Sequence, residues 1–335
     1  MIKIGINGFS RIGRMVLRAC IENKLQVLVV NDPFLTTENF AYLFKFDSTH
    51  GQFIGDVSVD SNTSITINGG KIDVYRERDP SKIPWKKYGV EYVIDATGVF
   101  TDNEKASLHL DAGAKCVVVA SPSKDLPMFV YGVNHQDYKS YMTIISSACS
   151  TTNCLAVLAK VVHENYTIVE GLMTTVHATS PTQKVLDSPG HAGGNKREGR
   201  GALQNIIPGC TGAAKCIGHI LPDLDGRLTG MAMRVPVASV SAVDLTVRLA
   251  RPAAYEEIKK RIKQASEGSM RGILSWTDED VVSSDLIGNQ NSCIFDVKAG
   301  VPLNNRFVKL IAWYDNEVAY CHRIVDLIKY IDARP

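Results

Sequence analysis

The sequence predicts an α/β protein in two parts, a doubly wound, mostly parallel sheet followed by an α+β region with a mostly antiparallel sheet. Three observations carry this expectation. Short Val- and Ile-rich runs recur through the first 150 residues without polar alternation, the pattern of strands buried on both faces. Amphipathic stretches separate them, giving the repeated strand, helix, strand order of a nucleotide-binding sheet. Beyond Cys149 the runs alternate instead, as in SVSAVDLTVRL at 239–249, which suits strands with one face covered and one open.

The elements follow in order. IKIGI (2–6) is the first strand, RIGRMVLRACIEN the first helix, and VLVVND (27–32) the second strand. EYVIDATG (91–98), CVVVASP (116–122) and TIISS (143–147) continue the parallel set. A helix to Ala112 opens at Thr101, whose spacing from Glu104 is that of a capping box. In the second region Thr151 to Glu164 places Leu155, Leu158, Val161 and Val162 on one helical face, and EGLMTTVHA (170–178) reads as a strand. The last helix, Asn316 to Ile331, carries Val318, Cys321, Ile324, Val325 and Ile328 as its core stripe. DSPGHAGGNKREGR (187–200) is the one long loop-like stretch, a length that points to function or to an interface.

Composition bounds the partners. The 335 residues are 45% apolar and 21% charged with a net charge of +2, so no electrostatic footprint for nucleic acid or a membrane surface is present. Lys196, Arg197 and Arg200 read as a solvated or interface loop. The eight cysteines have no C-x-x-C pair or metal-ligand spacing, which implies reduced thiols and no metal. The chain opens on a strand without a leader, and no run approaches about 18 apolar residues. The expected location is cytoplasmic.

Two constellations carry chemistry. INGFSRIGR (6–14) follows a strand and opens a helix, with Gly8 and Gly13 at the first and third positions of G-x-G-x-x-G and Ser10 at the second. Such a turn lets a pyrophosphate sit on the helix N-terminus, so Ser10 must point away from the cofactor or weaken it. Asp32 closes the second strand where a carboxylate accepts from a ribose 2′-hydroxyl and repels a 2′-phosphate, favouring NAD; as part of Asn31-Asp32-Pro33 it also suits a turn cap. The second constellation is SSACSTTNC (146–154) at a strand-to-helix junction. Cys149 and Ser150 lie where the helix favours an anion, although Ser150, Thr151 and Thr152 also suit plain capping. His177, ending an apolar strand, is either the base partner of such a nucleophile or a hydrogen-bonded structural residue.

INGFSRIGR, NDPF, DSTHG, YRERDPSKIPW, ATGVF, STTNCLA, GLMTTVHA, GRGALQNIIP, CTGAAK, LTGMAMRVP, SAVDLTVRL, KQASEG and WYDNE occur in this order along the whole chain. In these motifs the chain resembles phosphorylating glyceraldehyde-3-phosphate dehydrogenase. The resemblance implies a Rossmann-type NAD domain over 1–149, completed by a C-terminal helix at 316–335, and a catalytic domain over 150–315. It implies a glycolytic homotetramer that oxidises a small phosphorylated aldehyde and, with inorganic phosphate, forms an acyl phosphate. Position by position, Gly8, Arg11, Ile12, Asp32, Arg78 and Ala120 resemble the NAD contacts, and Asn316 the nicotinamide carboxamide partner. His177 resembles the general base; Thr151, Thr211 and Gly212 the site of the attacking phosphate; Ser180, Thr182 and Arg234 the site of the substrate's own phosphate.

Four features depart from the family pattern. The family reads Ser-Asn-Ala-Ser-Cys-Thr-Thr-Asn-Cys where this chain has Ser146-Ser147-Ala148-Cys149-Ser150-Thr151-Thr152-Asn153-Cys154, so serine and cysteine have changed places and Ser150 holds the nucleophile position beside Cys149. Ser10 alters the glycine turn, Ala120-Ser121-Pro122 stands where the family has Ser-Ala-Pro, and the 187–200 loop is longer and richer in glycine. A thiol ionises near pH 8.5 and falls further at a helix N-terminus, whereas a serine hydroxyl needs an oriented His and Asp. An oxygen ester also resists phosphorolysis more than a thioester. The expectation is therefore an enzyme of weak or lost activity; the alternatives are a non-catalytic NAD-binding paralogue acting as scaffold or co-assembling subunit, and a dehydrogenase of another phosphorylated aldehyde such as erythrose 4-phosphate.

Overall fold

The computed structural model describes residues 1–189 and 195–334. Of the 187–200 loop, residues 190–194 lie outside the described residues. Two compact units result: Met1–Tyr131, His135–Ala148 and the chain from Cys321 onward form the first, and Gly132–Asn134 with Cys149–Tyr320 the second.

The first unit is built on an eight-stranded sheet of β1 (Lys3–Asn7), β2 (Gln26–Asn31), β3 (Val57–Ser61), β4 (Ser64–Ile67), β5 (Gly70–Tyr75), β6 (Tyr92–Asp95), β7 (Cys116–Val119) and β8 (Ile144–Ser146), in the order β3-β4-β5-β2-β1-β6-β7-β8. From β5 to β8 all neighbours are parallel. The continuous apolar runs found these central strands, whose residues Ile4, Ile6, Val93, Ile94, Val117 and Val118 are fully buried. β3, β4 and β5 add an antiparallel meander at one edge. The chain reverses direction across the sheet between β1 and β6, so the carboxyl ends of these strands form the crevice in which doubly wound sheets bind ligands.

Helices α1 (Arg11–Glu22), α2 (Thr37–Lys45), α3 (Trp85–Tyr88) and α4 (Asn103–Asp111) belong to this unit. The capping-box expectation at Thr101 is corrected. The N-cap is Asp102, whose carboxylate accepts from Lys105 N–H at 2.9 Å, because an anion there meets both the orphan amides and the helix dipole.

The second unit has a seven-stranded sheet of β9 (Ile168–His177), β10 (Ile207–Cys210), β11 (Leu228–Arg234), β12 (Ser241–Leu249), β13 (Leu274–Thr277), β14 (Cys293–Asn304) and β15 (Phe307–Tyr314), ordered β10-β11-β9-β12-β15-β14-β13. Only the β9–β11 and β13–β14 pairs are parallel. Val243, Leu245, Val247 and Leu249 of β12 are buried in strict alternation, which puts one face of this sheet on the core. α5 (Ser150–Tyr166), α6 (Ala213–Ile220) and α7 (Tyr255–Glu267) complete the unit, and α8 (Val318–Asp332) runs from it into the first. The face expected on α5, Leu155, Leu158, Val161 and Val162, is buried, and in the first half of the helix burial extends to every side, from Thr151 to Ala159. α8 likewise starts two residues later than expected, after Asp315 accepts from Glu317 N–H and Val318 N–H; Ala319, Tyr320 and Leu327 join its buried face, while Val318 is only half-buried. Among the described residues no helix is long and apolar enough to cross a membrane, and none of the eight cysteines forms a disulfide.

Candidate active site

In the first unit the candidate cofactor residues stand at strand carboxyl ends. Gly8 follows β1 with φ +90°, and a Cβ on Gly13 would lie 2.0 Å from the Gly8 carbonyl oxygen. Backbone therefore packs on backbone, the close approach that only glycine permits. Ser10 is the exposed N-cap of α1 and its side chain makes no capping bond, so it takes none of the first-turn amides that an anion needs.

Asp32 caps the turn, as its place in Asn31-Asp32-Pro33 suggests. Its Oδ2 accepts from Phe9 N–H at 2.9 Å in the glycine turn, and its Oδ1 from Phe34 N–H at 3.0 Å beyond Pro33. A carboxylate has about four acceptor sites, which leaves capacity for ribose hydroxyls. Arg78 is exposed, its guanidinium 5.0 Å above the Phe34 ring. Ala120 follows β7 and donates its N–H to Asp95 O at 2.8 Å, and Arg11 and Ile12 open α1, half-buried. A glycine turn without room for side chains, a helix start that carries no side-chain cap and a carboxylate at the end of β2 fit a dinucleotide.

Beneath this turn lies a polar network that sequence reading missed. Asp95 ends β6 fully buried. Its Oδ2 accepts from Asn7 Nδ2–H at 2.8 Å and lies 3.0 Å from His109 Nε2, while Oδ1 accepts from Thr97 N–H at 3.1 Å and its hydroxyl at 2.6 Å. Trp85 Nε1–H donates to His109 Nδ1 at 3.1 Å. Indole is only a donor, so Nδ1 accepts and the ring proton sits on Nε2, aimed at Asp95.

In the second unit Cys149 is the N-cap of α5, with φ −133° and ψ 169°, and Ser150 is the first helical residue. Both are half-buried. The Cys149 thiol lies 3.1 Å from the Thr152 hydroxyl. Thr151 is buried, its hydroxyl 2.7 Å from Tyr314 OH, which is 3.0 Å from Thr175 Oγ1. The Thr151 side chain thus faces the core, and what it offers at the helix mouth is its amide.

His177 ends β9, and the parallel register of β9 and β11 sets it beside Arg234. Its Nδ1 is 2.6 Å from the Ala178 carbonyl oxygen and its Nε2 is 3.4 Å from Asn316 Nδ2. A carbonyl only accepts, so Nδ1 carries the proton and Nε2 presents its lone pair to the amide. Burial pulls the Arg234 guanidinium below its usual range, opposed by the charges of Tyr314, Glu198 and Cys149. Cys149, Arg234, His177 and Asn316 are thereby grouped at one end of this sheet and of α5.

The remaining candidates form two polar pairs. The Ser180 hydroxyl is 3.0 Å from that of Thr182, and Ser180 N–H donates to Gln183 Oε1 at 2.9 Å. Thr211 Oγ1 accepts from Ala213 N–H at 3.2 Å, and Gly212 is the exposed N-cap of α6. Ser241, Tyr314 and Thr175 were not found from sequence. The one available signal was a serine on the inward side of the alternating β12 run.

Comparison with known families covers both units. Residues 2–103 match the model for the NAD binding domain of glyceraldehyde 3-phosphate dehydrogenase, and residues 148–316 match its C-terminal domain. A glyceraldehyde-3-phosphate dehydrogenase of Glossina morsitans morsitans is 56% identical over 334 residues, covering 100% of this chain and 99% of the relative. Glyceraldehyde-3-phosphate dehydrogenase 2 of Drosophila pseudoobscura pseudoobscura is 57% identical over 334 residues, with all of both chains covered. The Cochliobolus heterostrophus enzyme is 56% identical over 332 residues, covering 99% and 98%.

Proposed function

Because the chain belongs to the glyceraldehyde-3-phosphate dehydrogenase family of NAD-dependent oxidoreductases, we propose that it is a cytoplasmic phosphorylating glyceraldehyde-3-phosphate dehydrogenase of glycolysis whose turnover is weak or lost. NAD, when bound, supplies the hydride acceptor. Gly8, Arg11, Ile12, Asp32, Arg78 and Ala120 hold its adenosine and pyrophosphate half, and Asn316 meets the nicotinamide carboxamide. Ser180, Thr182 and Arg234 hold the phosphate of the aldehyde; Thr211, Gly212 and the Thr151 amide hold the attacking inorganic phosphate. His177 takes a proton at Nε2.

One observation carries the proposed loss. His177 Nδ1–H is committed to a backbone carbonyl, that of Ala178, at 2.6 Å. A neutral acceptor stabilises an imidazolium less than an aspartate does, so Ser150 at the nucleophile position lacks the support a hydroxyl needs. Cys149 has the right sulfur chemistry, but it sits in extended backbone at the N-cap with its thiol turned to Thr152. Loss of a catalytic nucleophile costs on the order of 10⁴-fold or more in turnover. Steady-state assay of the purified protein with glyceraldehyde 3-phosphate, NAD and phosphate tests this. A turnover within tenfold of an ordinary family member refutes it, and the Cys149→Ser, Ser150→Cys double variant should regain activity.

A homotetramer suits the outer face of the second sheet. Leu172 and Val176 of β9 pair with Thr246 and Ala242 of β12, so they lie on the side away from Val243 and Leu245. They are 64% and 41% exposed, and Val301 is 56% exposed on the same face. Such apolar exposure marks an interface, and light scattering of the purified protein measures it. The same face would serve the second reading, a non-catalytic NAD-binding subunit that co-assembles with an active form, which the transposed Cys149 and Ser150 favour. NAD binding without turnover, together with mixed oligomers on co-expression, would distinguish it.

A further inference from the structure

We infer that Ser241 is the positioning residue that sets the nicotinamide selectivity of this site, acting through Asn316; the inference rests on the proposed role of Asn316. Ser241 opens β12 and is 1% exposed, so it touches no ligand itself. Its hydroxyl accepts from Ala178 N–H at 3.0 Å, donates to Asn316 Oδ1 at 2.9 Å and accepts from Asn316 Nδ2–H at 2.8 Å. One oxygen therefore fixes both ends of the Asn316 amide and the peptide that follows His177. The carbonyl of the same residue, Ala178, accepts from His177 Nδ1–H at 2.6 Å, and Asn316 Nδ2 lies 3.4 Å from His177 Nε2.

The arrangement sets the direction of an amide that would otherwise be free to turn over. An amide presents a donor at one end and an acceptor at the other, and reversing it would offer a carboxamide ligand the wrong group. His177 Nε2, presenting a lone pair, is matched only by the Nδ2 end. The Ser241 hydroxyl, anchored by the Ala178 N–H, holds the plane of the amide in place. Ser239 does the equivalent for the next residue, its hydroxyl donating to Glu317 Oε2 at 3.3 Å, so this stretch before and into β12 is a track of hydroxyls for residues 316 and 317. Loss of such a preset orientation is felt by a ligand as a cost of ordering.

The test compares NAD with ADP-ribose, which lacks the nicotinamide, by calorimetric titration of the full-length protein. Ser241→Ala should weaken NAD binding about tenfold, the worth of one well-placed hydrogen bond, and leave ADP-ribose within twofold. Ser241→Thr, which keeps the hydroxyl, should restore the NAD preference. Should the alanine variant not fold, Ser241→Cys keeps the volume with a poor donor and carries the same comparison. Equal weakening of both ligands, or of neither, overturns the inference. Asn316→Ala separates the two levels. If it removes the NAD preference and Ser241→Ala does not, Ser241 has no positioning role; if Asn316→Ala leaves the preference intact, the reading of Asn316 fails and the inference with it.

Discussion

Replacing His109 by leucine should destabilise the first unit by about 3–5 kcal/mol, and the network around it supplies the figure. His109, Trp85 and Asp95 are each 0% exposed. Leucine fills most of the ring volume but has no nitrogen, so the Trp85 Nε1–H now 3.1 Å from Nδ1 loses its partner. An orphaned buried donor costs about 1–3 kcal/mol. The Asp95 carboxylate loses one of four donors, the others being Asn7 and the amide and hydroxyl of Thr97; a bond to a charged group contributes about 1.5–3 kcal/mol. Trp85→Phe added to His109→Leu removes both ends of the indole bond, so the double variant should lose less than the sum of the single ones. Urea unfolding followed by circular dichroism measures all three variants. A loss below about 1 kcal/mol for His109→Leu, or strict additivity, would refute the assigned proton positions. Since Asn7 and Asp95 lie directly below the Gly8 turn, NAD affinity should fall in the same variant.

Three further outcomes follow from other parts of the molecule. Asp47 is held well below the usual carboxyl range, first by the His50 side chain and then, against desolvation, by the amides of His50 and Thr49 and by Arg14; a depressed carboxyl stabilises the fold above its unfolded pKa of about 3.9. Stability should therefore decline as pH falls below about 4, and Asp47→Asn should flatten that decline while costing about 1 kcal/mol at neutral pH, discounted for the solvent that reaches the pair; a variant with the unchanged acid slope in urea midpoints would be evidence against it. Gly13→Ala should abolish NAD binding in a calorimetric titration, because its Cβ would lie 2.0 Å from the Gly8 carbonyl oxygen, whereas Gly209→Ala meets nothing within 4 Å and should be neutral. Iodoacetamide at pH 8 should label Cys149 and Cys210, the two accessible thiols; burial pushes Cys20 and Cys116 up to about 12 and Cys216 to about 11, so peptide mapping that found these labelled in the native protein would contradict the structure.

What sequence reveals depends on whether the physical cause is local. β1, β2, β6, β7 and β8 were legible because strands buried on both faces must be apolar throughout, and that condition is written in consecutive residues. β3, β4 and β5 were not read, since VSVDS, SITI and GKIDVY are short and half-polar at a sheet edge. The start of α4 was misplaced by one residue because Thr101 and Asp102 both suit an N-cap, and only the Asp102 to Lys105 bond decides between them. In the site, residue types at strand ends and helix starts were visible. Their supports were not: Ser241 meets Asn316 across 75 residues and Thr151 meets Tyr314 across 163, separations that only the register of β9, β12 and β15 brings to contact.

The same distinction bears on the pair at the start of α5. In sequence Cys149 and Ser150 differ by one position, which suggests that a thiol displaced by one residue could still do the work. In the backbone they belong to different regimes. Ala148 has φ +57°, a left-handed value that costs a non-glycine residue about 1 kcal/mol or more, and it turns the chain from the end of β8 to the extended N-cap at Cys149 before the helix begins at Ser150. Side chains one residue apart across such a boundary leave the chain in different directions, and Ser147 and Ala148, both buried behind the turn, leave little room to rotate the junction. The thiol would reach the position of the Ser150 hydroxyl only if the first turn of α5 rewound by one residue, which would break the Thr151–Tyr314–Thr175 bonds and the Asn153 N–H bond to the Cys149 carbonyl. Several buried hydrogen bonds oppose that rewinding, so the fold itself enforces the proposed separation between the residue with the right chemistry and the residue at the reacting position.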